Sequence, residues 1–314
     1  KKSSAAFRLK SQASHKSLKP MAAPKDKSLT DSKFISQLDA LYLLAQRILK
    51  GNLQADRRTE RKGSGIDFAD YAEYQQGDDY RAIVWKVYAR NEQLLVKLFE
   101  VEEDTTVYLM LDCSPSMESK LDAAKRMAAS LGYIALNSLD RLVTYSIADK
   151  LENIMPPARG RAKTLTFLRS LEATASKGND TRFTQCCKAL QARHRKKGIV
   201  IVISDFLFAS GFDDGLRILQ GAGHDVYCLQ IHDKADLECE WLGDADLICS
   251  ETGTHQKVTI TESEAAAYKK AMSDWNDSLK NYCRRKGIGL TSITTKDHFE
   301  VVIQGLLRKG GLVA

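Results

Sequence analysis

The sequence predicts an α/β fold: a doubly wound, mostly parallel sheet with helices on both faces, preceded by an N-terminal helix and an irregular, partly β segment. Three observations lead there. From Thr105 onward, short apolar strands alternate with helical stretches of roughly ten to fifteen residues, the rhythm of βαβ units. The run GIVIVIS, 198–204, is apolar without interruption, as in a strand buried on both faces. Over 119–137, Leu121, Ala124, Met127, Leu131, Ile134 and Ala135 form one helical stripe that would cover such a sheet.

The elements follow in order. Residues 1–30 carry eight Lys or Arg against one Asp, which accounts for the whole formal net charge of +7. This stretch has few large apolar residues, so burial does not offset its ordering entropy, and it reads as a disordered basic tail. The first methionine is Met21, the expected start if the residues before it are an upstream extension. Residues 31–104 form a second region. Asp31 caps a helix with Ile35, Leu38, Leu41, Leu44, Ala45, Ile48 and Leu49 on its apolar side and Gly51 at its end. After it comes a basic, aromatic-spaced segment without a regular period, expected to be an ordered, irregular connector, and then a strand over Leu94–Val101.

Residues 105–314 form the sheet domain. Strand TTVYLML, the helix over 119–137, strand RLVTYSIA, helices near 161–173 and 182–195, strand GIVIVIS, another helix, and strand HDVYCLQI follow one another. A hairpin occupies roughly 239–260. Thr261 and Glu264 predict a capping box for a helix with Tyr268, Met272, Trp275, Leu279 and Tyr282 on its buried seam, closed by Gly287. Strand GLTSITT and a terminal helix finish the chain. The run from Arg193 to Gly198 reads as a basic helix end that Gly198 closes.

Composition excludes several classes of protein. Every apolar run is broken by charge well short of the roughly 18 residues a membrane helix needs. The seven cysteines (113, 186, 187, 228, 239, 249 and 283) contain no C-x-x-C pair, and the six histidines show no ligand spacing. The thiols read as reduced, which predicts a cytoplasmic protein.

Chemistry concentrates in LMLDCSPSM. Asp112, Ser114 and Ser116 follow the first strand of the sheet domain, where their alternate spacing lets one tight loop aim three oxygens at a point. Thr181, in the loop KGNDT, and Asp205, at the end of GIVIVISD, belong to loops that open on the same sheet edge. Five oxygens suit a hard cation: magnesium, or alternatively manganese or calcium.

In their order and positions, Asp112-x-Ser114-x-Ser116, then Thr181, then Asp205 resemble the metal-ion-dependent adhesion site of the von Willebrand factor type A domain, a Rossmann-like fold. Upstream, GSGIDFADYAEYQQGDDYRAIVWKVYARNEQLLVKLFEVE resembles the signature block of the bacterial domain-of-unknown-function family 58. The two blocks cover roughly 57–210. Val84 stands where such proteins usually carry Asp before Trp-Lys, and Asn179 and Asp180 stand where small residues are commoner. The resemblance implies a non-catalytic adaptor that engages an acidic residue of a partner through the ion, with a MoxR-type AAA+ ATPase as that partner.

Two other functions compete. Asp112 after a strand suits a phosphoryl-accepting nucleophile, but the position two residues on, where an assisting acid is needed, is Ser114. The basic tail together with Arg57, Arg58, Arg61 and Lys62 suits nucleic acid, but the motif-bearing domain is balanced in charge.

Overall fold

The computed structural model describes residues 7–9, 28–52, 60–62, 67–100, 105–178, 181–208, 210–237, 242–249 and 255–308. In chain order the elements are β1 (Phe7–Leu9), α1 (Ser32–Asn52), β2 (Glu60–Lys62), β3 (Asp67–Glu73), α2 (Trp85–Asn91), β4 (Leu95–Glu100), β5 (Thr106–Asp112) and α3 (Leu121–Asn137). There follow β6 (Arg141–Ile147), β7 (Leu151–Arg159), α4 (Thr164–Ala173), α5 (Phe183–Arg193), β8 (Ile199–Ser204), α6 (Asp213–Gly221) and β9 (Asp225–His232). The last are α7 (Lys234–Leu237), β10 (Gly243–Cys249), β11 (His255–Ile260), α8 (Glu262–Lys286), β12 (Gly289–Thr294) and α9 (Phe299–Arg308).

The chain divides into two compact units, one of residues 1–45 with 105–313 and the other of 46–104. The larger unit is built on a six-stranded sheet in the order β12-β9-β8-β5-β6-β7. All neighbours are parallel except β6 and β7. From β5 the chain steps to β6 on one side and later to β8 on the other. That reversal falls between the carboxyl ends of β5 and β8, the place where doubly wound sheets take their ligands.

Every residue of β5 is buried, as a central strand covered on both faces requires. Tyr108 and Met110 join Phe183, Cys186, Leu190, Leu216, Leu219 and Leu279 in one core, so α5, α6 and α8 cover that face. Leu109 and Leu111 alternate to the other face, against which α3 packs. On that side Phe34 of α1 meets Phe299 of α9 with ring centroids 5.2 Å apart. The Tyr42 hydroxyl donates to the carbonyl of Asn137 at 2.8 Å. The first turns of α1 therefore belong with the sheet and not with the segment that follows them.

Several expectations meet the structure differently. Within the expected tail, Phe7–Leu9 pairs antiparallel with β10, because the β10–β11 hairpin has an open edge that even a three-residue strand can extend. The rest of residues 1–27, Arg57, Arg58, Asn179 and Asp180 lie outside the described residues. Strand β7 is additional to the elements read from the sequence; it contains Pro156 and Pro157 and is the edge strand, where prolines are tolerated. Gly198 does not close α5, which ends at Arg193 with His194 at its C-cap. A Cβ at Gly198 would lie 2.1 Å from the Thr106 carbonyl oxygen, so the glycine admits β5 alongside. The capping box of Thr261 and Glu264 is present, and Gly287 ends α8 with φ 66°.

In the smaller unit, β2, β4 and β3 make an antiparallel sheet in that order. The segment expected to be an irregular connector thus contains strand β3. Its register slips between Phe68 and Asp70, and such a bulge erases the alternation by which a strand is read from sequence.

Candidate metal centre

Asp112 is the last residue of β5 and is 1% exposed. Its Oδ1 accepts from the Ser114 backbone N–H at 2.9 Å. Its Oδ2 accepts from the Ser204 hydroxyl at 2.6 Å, because β5 and β8 run in register and bring Ser204 alongside. Burial first, then the charge of Asp205, push the Asp112 carboxyl up to about 6, against the pull of these hydrogen bonds. The next residue, Cys113, is tied to β6 by its N–H on the Ile147 carbonyl at 2.9 Å. Burial and the neighbouring Asp112 raise its thiol to about 12, which leaves it inert.

Ser114 opens the short 3-10 turn Pro115–Met117, and its hydroxyl lies 2.9 Å from that of Ser116. Adjacent vertices of an octahedron with ligands at about 2.1 Å are about 3 Å apart, so the hydroxyl pair fits two neighbouring positions of a magnesium shell.

Asp205 follows β8 and is also 1% exposed. The next residue, Phe206, adopts φ 59°, a left-handed conformation costing about 1 kcal/mol or more in a non-glycine residue. Two bonds hold that turn: Phe206 N–H donates to the Ser204 hydroxyl at 2.9 Å and Leu207 N–H to Asp205 Oδ1 at 3.0 Å.

Thr181 is buried, in the loop between α4 and α5. That loop is strapped to the Asp112 turn, with Lys177 N–H on the Cys113 carbonyl at 2.7 Å and the Ser176 hydroxyl on the Ser114 carbonyl at 3.0 Å. On its far side Arg182 N–H donates to the Ala148 carbonyl at 3.1 Å. Gly178 takes φ +83°, and a Cβ there would meet Asp149 Oδ1 at 2.8 Å.

Sequence reasoning passed over Lys120. It lies before α3, 1% exposed, with Nζ 2.6 Å from Asp205 Oδ2 and 2.9 Å from Asp236 Oδ2. Burial opposes its charge, but the two carboxylates outweigh burial and its pKa rises. His232, at the end of β9, is buried close by, with neither ring nitrogen hydrogen-bonded among the described residues. Burial lowers its pKa, and Asp236 partly opposes the effect. A lysine ahead of an amphipathic helix reads as solvated, so only the fold reveals this cluster.

Among the described residues, no group of three or more His, Cys, Asp or Glu side chains gathers as a metal cage. The donor set here is of another kind, two carboxylates with hydroxyls. An ion's charge would relieve the disfavoured ionisation of Asp112; the serine hydroxyls are hydrogen-bonded to each other here, at a separation that adjacent ligands of an octahedral ion would also have.

Residues 70–277 match the family described as "Protein of unknown function DUF58". The chain belongs to the DUF58 family. The matched span contains every residue of the site, including Lys120 and Asp236. An uncharacterised protein of Mycobacterium bovis is 26% identical over 275 residues, covering 85% of this chain and 86% of the relative. A shorter uncharacterised relative from Mycobacterium avium is 27% identical over 143 residues, 45% of this chain and 84% of its own. Among solved structures, this DUF58 chain is similar to the conserved hypothetical protein BatB from Bacteroides thetaiotaomicron, at TM-score 0.41 and 15% identity. That match covers 65% of this chain and 98% of BatB. An aerotolerance-related membrane protein from Bacteroides fragilis is similar at TM-score 0.39 and 14% identity, over 65% and 97% of the two chains. In the DUF58 chain itself, no described helix is long and apolar enough to cross a membrane.

Proposed function

We propose that this DUF58 protein is a non-catalytic adaptor that holds a divalent cation, magnesium before manganese or calcium, through Asp112, Ser114, Ser116, Thr181 and Asp205. When bound, the ion supplies a Lewis-acidic position that a carboxylate of a partner protein completes. The chain's own residues do the rest. Ser114 and Ser116 present paired hydroxyls, Asp112 and Asp205 set the charge, and the strapped Thr181 loop walls one side. The observation that carries the reading is the 2.9 Å serine pair beside a buried carboxylate whose ionisation is disfavoured. By the resemblance noted above, the partner is a MoxR-type AAA+ ATPase in the cytoplasm, engaged through an acidic side chain.

The phosphoryl-transfer alternative is weaker. An aspartyl nucleophile needs an assisting acid two residues on, and that position is Ser114, whose hydroxyl is 2.9 Å from that of Ser116. Calorimetric titration of magnesium chloride into the full chain tests the reading. Heat of binding in the parent and none in Asp112→Ala supports it; equal heat in both, or none in the parent, refutes it. A pull-down with and without chelator tests the bridge, and a partner retained equally in both overturns ion-mediated capture.

A further inference from the structure

We propose that Lys120 is a resident counter-cation of this centre, competing with the divalent ion for Asp205 and so keeping ion binding weak and reversible. The inference rests on the metal reading above and deepens it.

An ammonium buried to 1% exposure is unfavourable unless it is fully paired. Lys120 is paired twice, and the two partners differ. Asp205 is as buried as the lysine itself, with side chains 2% exposed on each side of the bond. The Asp236 side chain is 23% exposed and holds Lys120 through the same Oδ2 that accepts from the Asp233 N–H at 2.9 Å. The Tyr268 hydroxyl of α8 pins the Asp236 carbonyl at 3.0 Å. Asp205 Oδ1 is committed to the Leu207 N–H, so Oδ2 is the oxygen with most to offer a cation, and Lys120 sits on it at 2.6 Å.

Two positive charges do not share one buried oxygen cheaply. Either the ion reaches Asp205 and the ammonium falls back on Asp236, or Lys120 keeps Asp205 and the ion is held by the Asp112 side alone. In both cases the lysine opposes the ion, while without an ion it is what neutralises Asp205. The exchange therefore lets the site stay folded when empty and release its ion readily.

The test uses the full chain, magnesium chloride as the probe, calorimetric affinity as one readout and thermal unfolding in chelator as the other. Lys120→Met, which keeps the length and removes the charge, is expected to bind magnesium at least about tenfold more tightly and to melt lower in chelator. Lys120→Arg restores the charge and is expected to return the affinity to near the parent value. Should Lys120→Met not fold, Asp236→Asn serves: it removes the ammonium's second seat, and magnesium is expected to bind several-fold more weakly. Unchanged or weaker binding by folded Lys120→Met, or unchanged or tighter binding by Asp236→Asn, overturns the counter-cation, provided Asp112→Ala still abolishes the parent's heat. Absence of heat from the parent and every variant overturns the metal centre itself and the competition with it.

Discussion

Replacing Asp112 with asparagine in chelated protein isolates the charge at the end of β5. The carboxyl is raised from 3.8 to about 6, by burial and then by Asp205. A carboxyl with a native pKa above its unfolded value holds its proton more tightly when folded. Its stabilising contribution is therefore complete below the unfolded value and is lost as pH rises through about 6. The gap between the two values corresponds to about 3 kcal/mol by neutral pH, roughly 2 of it between about pH 4.5 and about pH 7.5. The neutral amide of the variant carries no such penalty. It mismatches one of the two donors, but the Ser204 hydroxyl can turn to accept, and that cost does not vary with pH. Urea unfolding of both proteins in chelator across this window is the assay. Stability of Asp112→Asn relative to the parent should rise by roughly 2 kcal/mol from the acid end to the neutral end. Saturating magnesium at neutral pH should then stabilise the parent and not the variant. A difference that stays flat with pH refutes the assigned burial penalty.

Ser116→Ala removes one of the paired hydroxyls from a half-buried turn; magnesium affinity should fall about tenfold or more by calorimetry, with the chelated melting point nearly unmoved. Gly198→Ala would force a methyl against the Thr106 carbonyl, and since both partners are backbone in the central sheet, urea unfolding should show a loss of about 2 kcal/mol or more. Thr261→Ala removes the hydroxyl that caps α8 at the Glu264 N–H and should cost about 1 kcal/mol in the same assay, leaving ion affinity unchanged.

Legibility in the sequence followed how local each cause is. The capping box at Thr261 and the closing Gly287 are short-range signals, and both stand in the structure as read. The alternation of strands and helices is nearly as local, so the parallel sheet was foreseeable. Edge strand β7 was not, because Pro156 and Pro157 are acceptable only at a sheet edge and position in the sheet is a tertiary fact. Strand β3 escaped through its bulge. Gly198 was assigned to a helix end when its actual constraint is the Thr106 carbonyl of another strand. At the site, Asp112, Ser114 and Ser116 share one loop and announce themselves. Lys120 acquires meaning only through Asp205, 85 residues away, and Asp236, 116 residues away.

The topology explains why this rim needs positive charge in some form. Asp112 ends β5 and Asp205 follows β8, and adjacent strands lie only about 4.8 Å apart. Two buried carboxylates this close in the fold repel, and the charge of Asp205 acts on Asp112. The chain treats them unequally: Asp205 receives a full ammonium, whereas Asp112 receives only neutral donors, the Ser114 N–H and the Ser204 hydroxyl. Neutral donors lower a carboxyl's pKa without cancelling its charge, so burial first and the charge of Asp205 second still raise Asp112. The serine hydroxyls, 2.9 Å apart, add oxygens and no charge, and that of Ser114 bears on Asp112. A cation drawn to this centre is therefore drawn first to the Asp112 side, and its reach toward Asp205 is what Lys120 contests.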